Sequence, residues 1–163
     1  MLALDEKTIR ASFVNASRKE VGDITLPPDF DDIDWDRIDY LGWCDRKFAR
    51  RAYIVVPVDG RFVGILLKQA DGSARSRPQC SWCEDVRLPN DVVLYVARRG
   101  GAAGRNGDTV GTLICAEFQC STNVRKNPPM AYIGFDVEAA REKRIATLRE
   151  RAGAFATGIL QDN

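Results

Sequence analysis

The stretch RPQCSWCEDV, residues 77 to 86, sets Cys80 and Cys83 on either side of Ser81 and Trp82. A Cys-x-x-Cys pair is a redox couple, half of a metal site, or two small packed hydrophobes. What lies downstream bears on the choice. Cys115 follows after 31 intervening residues, and Cys120 after four more. Four thiolates suit the tetrahedral preference of Zn2+, and a Cys-x-x-Cys turn supplies two of them from one tight knuckle. A hairpin over residues 91–114 would return the chain to the same point. Cys115 would then end the second strand, and Cys120 would fall in the first turns of the following helix, whose N-terminus favours thiolate charge. Knuckle, hairpin and a helix bearing the last ligand is the layout of a treble-clef zinc finger.

The redox reading wants the pair where a strand enters a helix. Here EDVRLPND follows, with a proline, and then a strand; Cys115 and Cys120 would go unexplained. Four merely buried, unliganded cysteines are the other alternative. Zinc explains the four positions together, and four thiolates with no open position imply a structural site, not a catalytic one. The fifth cysteine, Cys44, has no partner at ligand spacing and reads as a half-buried strand residue.

Composition bounds the rest. At 163 residues, 45% hydrophobic and 29% charged, the chain can bury a real core and has the make-up of a soluble globular protein. A formal charge of +1 gives no bulk pull toward nucleic acid or membrane. The absence of histidine removes the commonest general base and the commonest nitrogen ligand. MLALDEKTIRASF carries no apolar run of signal-peptide length, and no segment approaches the ~20 apolar residues of a membrane span. A cytoplasmic protein with reduced thiols is expected.

Along the chain, Asp5 is placed to cap a first helix with Ile9 and Phe13 on one face, and Ser17 to Glu20 has the capping-box pattern. PPDFDDIDWDRID reads as an acidic loop. As a calcium loop its DIDWD core lacks the required glycine and glutamate, since Arg37 and Trp43 stand there. From about residue 38 the pattern turns to strands: YLGW, AYIVVPV and RFVGILLK, the last two joined by Asp59-Gly60, a strong hairpin signal. QADGSARSRP is a polar connection. DVVLYVA and TVGTLIC read as two more strands joined by a glycine-rich tip, RRGGAAGRNGD, expected to turn and stay mobile. That tip lacks the ending and the setting of a phosphate loop. AEFQCSTNVRK is a short helix candidate ended by Pro128 and Pro129. Asp136 caps a last helix whose Ile145, Leu148, Ala152, Phe155 and Ile159 form one apolar stripe, with Arg141, Lys143, Arg144, Arg149 and Glu150 on its other faces.

The predicted fold class is α+β: an antiparallel sheet with N-terminal and C-terminal helices and a four-cysteine treble clef. One domain, 1–163, would comprise a helical segment (5–25), a β-rich part (37–70), the finger (77–127) and the C-terminal helix (136–160).

IRASFVN, DYLGW, AYIVVP and above all CSWC followed by VGTLICAEFQCS and NVR resemble the elongation factor G-binding proteins. Their treble-clef domain is shared with the fusidic-acid-resistance proteins of the FusB type. The likeness runs from about residue 5 to the final helix. It implies a non-enzymatic protein that binds elongation factor G and so touches the ribosome, with Cys80, Cys83, Cys115 and Cys120 as ligands of one structural Zn2+. The resistance proteins carry a sizeable helical domain before the finger, whereas only about 25 residues of helix-like sequence precede the acidic loop here. Binding to the factor is therefore a safer inference than drug resistance.

Partner contacts have two candidate groups. Trp82 is either an exposed interface anchor or a lid over the zinc site or the C-terminal helix. Arg98, Arg99 and Arg105 line the glycine-rich tip, and Arg125 and Lys126 close the short helix; these face a partner or are ordinary solvated cations. Arg125 has the further option of offsetting the zinc–thiolate charge of about −2. No catalytic constellation is visible, and no small-molecule substrate or membrane partner is expected. The alternative function is an RNA-binding finger contacting rRNA or another structured RNA through its arginines, which near-neutral charge and the lack of a basic-aromatic stripe disfavour.

Overall fold

The strand Arg51–Val58 (β2) organises the molecule, because its five consecutive residues Ala52 to Val56 are all buried. An antiparallel strand normally shows one face to water, so a continuous apolar run here requires a layer on each side. Both layers are present in the computed structural model, which describes residues 1–71, 78–85, 91–128 and 132–160. Leu41–Cys44 (β1) and Arg61–Gln69 (β3) flank β2. Val92–Arg98 (β4) and Thr109–Cys115 (β5) complete a five-stranded antiparallel sheet in sequence order. The Asp59-Gly60 turn joins β2 to β3, with φ of 47° and 77°, the left-handed pair that a two-residue hairpin needs.

On one face, Tyr53 and Val55 of β2 with Leu41 and Trp43 of β1 pack against the N-terminal segment that carries the helices Glu6–Ser12 (α1) and Arg18–Gly22 (α2), through Leu4 before α1, Ile9 within it and Ile24 after α2. Asp5 caps α1 by accepting from the Thr8 amide, and Ser17 and Glu20 form the full capping box on α2. On the other face, Ile54, Val56, Ile65 and Leu67 meet the four cysteines and the long helix Val137–Leu160 (α5), which contributes Leu148, Ala152, Ala156 and Ile159. The acidic stretch is a loop holding two 3-10 turns, Phe30–Asp32 and Trp35–Arg37. No helix among the described residues is long and apolar enough to cross a membrane.

The sheet has a seam. β3 and β4 pair only at Lys68↔Val96 and Gln69↔Tyr95, so the first part of β3 has no strand on that side. The chain after α1 covers this edge: the Val14 amide donates to the Gly64 carbonyl at 3.0 Å. The Asn15 amide then takes the place of a strand residue. Its oxygen accepts from the Leu66 amide at 2.8 Å, and its nitrogen donates to the carbonyls of Leu66 and Arg98, each at 3.0 Å.

Three expectations change. The glycine-rich tip is not a plain mobile turn: it contains a helix, Gly101–Arg105 (α3), and docks on the end of α5. The Gly100 amide donates to the Ile159 carbonyl at 2.7 Å and the Arg99 guanidinium to the Gly158 carbonyl, which satisfies carbonyls that a helix end leaves open. The short helix is confined to Cys120–Arg125 (α4) and stops before Pro128. Cys44 does end a strand, but its side chain is exposed, with Sγ 3.5 Å from the Ala116 carbonyl oxygen. Most of the polar connection (72–77), most of EDVRLPND (86–90), and Pro129 lie outside the described residues.

Candidate metal centre

Each cysteine reaches the centre by a different local device. Cys80 and Cys83 sit on a tight turn in which the Cys83 amide points at Cys80 Sγ (3.4 Å) and the Glu84 amide returns to the Cys80 carbonyl at 3.0 Å. Glu84 adopts φ 56° to close it. The Ser81 amide donates to Leu113 at 2.7 Å, tying the knuckle to the open edge of β5. Cys115 is the last residue of β5. A left-handed Phe118, φ 59°, then reverses the chain so that Cys120 opens α4.

The four Sγ atoms lie within 4.8 Å of one another and all four residues are buried. Cys80 and Cys120, and Cys83 and Cys115, stand with their sulfurs 3.6 Å apart. A tetrahedral Zn2+ with Zn–S bonds of ~2.3 Å requires S···S edges of about 3.8 Å, so the cluster has the right size and donor set. Asn123, one helical turn after Cys120 and itself buried, directs its amide nitrogen to Cys115 Sγ (3.5 Å) and Cys83 Sγ (3.8 Å). Donation of this kind disperses thiolate charge and orients the ligands. Without a cation the cluster cannot ionise fully. Thiols of Cys115, Cys120 and Cys83 donating to Cys80 hold its pKa far below the usual thiol value, while its bonds to Cys115, Cys80 and Cys83 push Cys120 far above it. A divalent ion removes that conflict by taking all four sulfurs as thiolates. The chain holds a single structural Zn2+ there.

Around the site, Trp82 is only 3% exposed. Its ring lies edge-on to Tyr40, centroids 5.0 Å apart, and against Phe155 of α5 at 5.7 Å. It is thus a lid between the knuckle and α5, not the exposed anchor. Tyr40 donates to the Phe118 carbonyl at 3.4 Å; burial, then the Cys120 sulfur, push its pKa well up, so it remains a neutral phenol. Phe118 fills the space that a Cβ on Gly42 would occupy, 2.6 Å away, and stacks on Tyr95.

Arg125 does not serve the thiolates. It grips the buried Asp39 at 2.5 Å, and Arg149 of α5 grips the same carboxylate at 2.8 Å. Burial pulls the Asp39 carboxyl upward, but the bonds from Arg125 and Arg149 outweigh it and leave its pKa below the ordinary value. Arg144 donates to the carbonyls of Asn123 (3.0 Å) and Lys126 (2.9 Å), capping α4, and Arg151 holds the Ser81 carbonyl at 2.9 Å and the Glu84 carboxylate at 2.6 Å. Arg144 and Arg151, the first assigned by periodicity to a solvated face and the second left unremarked, therefore fasten α5 to the finger, and Arg149 ties it to the segment before β1. Sequence reasoning missed Asn123, Asp39 and Arg151. Only Asn123 carried a signal, the three-residue step from Cys120 along one helix face.

The candidate contact residues fall in two places. Arg98, exposed and paired with Glu20 at 3.0 Å, and exposed Arg105 wall a hollow beside the N-terminal helices, with Arg99. Lys126, exposed, lies with Arg125 beside the acidic loop near Asp29 and Asp34. The two groups thus line separate hollows.

Neither a curated protein nor a solved structure matches the chain. A family model does, that of the FBP C-terminal treble-clef zinc-finger, over residues 8–159. That span takes in most of α1, all of α2, the whole sheet, all four cysteines and nearly all of α5, and so the chain belongs to the FBP C-terminal treble-clef zinc-finger family.

Proposed function

We propose that this chain is a non-enzymatic, zinc-stabilised interaction module of the cytoplasm that binds translation elongation factor G and influences its release from the ribosome, in the manner of the fusidic-acid-resistance proteins. The family match over residues 8–159 carries this reading. Two features support it. The metal site is closed by four cysteines, which suits scaffolding and not substrate binding. Net charge is only +1, so a partner must be recognised by local complementarity and not by bulk attraction. Arg98, Arg99, Arg105, Arg125 and Lys126 remain the candidate contacts. Arg125 is committed to Asp39, and buried Trp82 can contribute only by shaping the surface above it.

Calorimetric titration of the zinc-loaded protein into elongation factor G from the same organism tests the reading. A 1:1 complex of micromolar affinity or better with modest salt dependence is the expected result. No heat at several temperatures overturns it. The exposed cations Arg105 and Lys126 favour a second reading, binding to structured RNA. That reading requires a steep fall of affinity with ionic strength.

A further inference from the structure

We propose that a trough between α2 and the β4–β5 hairpin receives a short acidic, partly apolar stretch of a partner protein. The proposal rests on reading the chain as a protein-binding module and names where that binding occurs. Two adjoining hollows, of about 650 Å3 and 360 Å3, share Glu20 and Arg98 as a common wall. The larger is lined by the partly buried Leu66, Val96 and Ala70, with the 41%-exposed Phe48 at its side. A lining of this kind takes an apolar side chain.

The rim supplies charge. Arg51, Lys68 and Arg98 line the larger hollow, and Arg105 lines the smaller. Of the acids on the walls, Glu20 is already neutralised by Arg98, and Asp71 is paired with Arg50. Lys68 and Arg105 make no ion pair among the described residues. Arg51 lies over the Phe48 ring at 4.1 Å and is already close enough to Asp45 and Glu20 to lower the pKa of both carboxyls.

The same residues argue for peptide over RNA. Single-stranded nucleic acid needs a continuous basic track and open aromatic faces. Glu20 interrupts the track at its middle, and Arg51 already covers one face of Phe48, the single aromatic in either hollow among the described residues. Carboxylates on a peptide can be spaced to meet Lys68, Arg51 and Arg105 while avoiding Glu20.

The test uses the 15N-labelled, zinc-loaded full chain and two probes: the capped hexapeptide Glu-Leu-Glu-Asp-Leu-Glu, and octauridylate. The expected result is saturable shifts of the Lys68, Val96 and Thr109 amides with the peptide, weakened roughly tenfold or more by Lys68→Glu with Arg105→Glu. Lys143→Glu with Arg61→Glu, an equal charge change at exposed sites outside the trough, should leave the affinity unchanged; zinc content and circular dichroism verify folding. The proposal is overturned by absence of saturable shifts at millimolar peptide, by equal or tighter binding of octauridylate at these amides, or by indifference to the trough reversal. No elongation factor enters this assay, so its failure is read separately from failure of the elongation factor G titration.

Discussion

Asn123 shows how much a single amide can do at a metal centre. Its nitrogen reaches two of the four clustered sulfurs from within the buried core. Asn123→Ala should retain the fold yet release zinc more readily, with affinity lowered about 10-fold to 100-fold, the usual range for a lost outer partner. A chromogenic chelator competition measures this. Asp39 carries a pH prediction. Its pKa is depressed in the folded state, so the stability it contributes is present above the unfolded carboxyl value of ~3.9 and is lost as pH falls below it. Arg149→Ala should therefore raise the pH at which acid unfolds the protein. Because Arg149 is largely exposed, the cost at neutral pH should stay near ~1 kcal/mol. Asp39→Asn should cost more, since two guanidinium groups then face a neutral amide. Intrinsic tryptophan fluorescence against pH, beside zinc release over the same range, separates this effect from loss of the metal.

Among the elements, the caps and hairpins were open to sequence reading, and the seam was not. Asp5, Ser17–Glu20, Asp59-Gly60 and Asp136 are local devices, each satisfied within a few residues. The Asn15 clasp joins residues 51 and 83 positions apart, and no periodicity signals that. Gly64 belongs to the same device: a Cβ there would sit 2.4 Å from Ser12 Oγ and 3.0 Å from the Phe13 amide nitrogen. Gly64→Ala should push the segment after α1 off the strand. Asn15→Ala should leave the Leu66 amide and carbonyl without partners, at about 1–3 kcal/mol. Urea unfolding gives both values, and amide exchange at Leu66 should rise in each variant. The tip helix α3 was missed for a related reason, because its glycine-rich sequence has little helix propensity and its place depends on the end of α5.

At the scale of the molecule, the cysteine quartet was legible because spacing alone limits which ligands can meet. The two-sided enclosure of the sheet was not, since a strand cannot announce what covers it. The layers meet through β2, and this sets the outcome of metal removal. A chelator should not melt the finger alone. Loss of the zinc-facing core, which includes Ile54 and Val56, should loosen Tyr53 and Val55 on the opposite side of the same strand. A single cooperative transition at a much lower temperature is expected by calorimetry, given that structural zinc contributes on the order of 10 kcal/mol. Survival of a folded N-terminal half would contradict it.

The enclosed strand also bears on how the sequence can drift. From Ala52 to Val56 no position faces water, so no neutral site interrupts the run. A saturation library should reveal an unbroken block of intolerance there, in contrast to the alternating tolerance along β4, where Leu94 is exposed and Tyr95 is buried. Homologous lineages would then be expected to diverge along their outer strands and loops while preserving this interior stave nearly letter for letter.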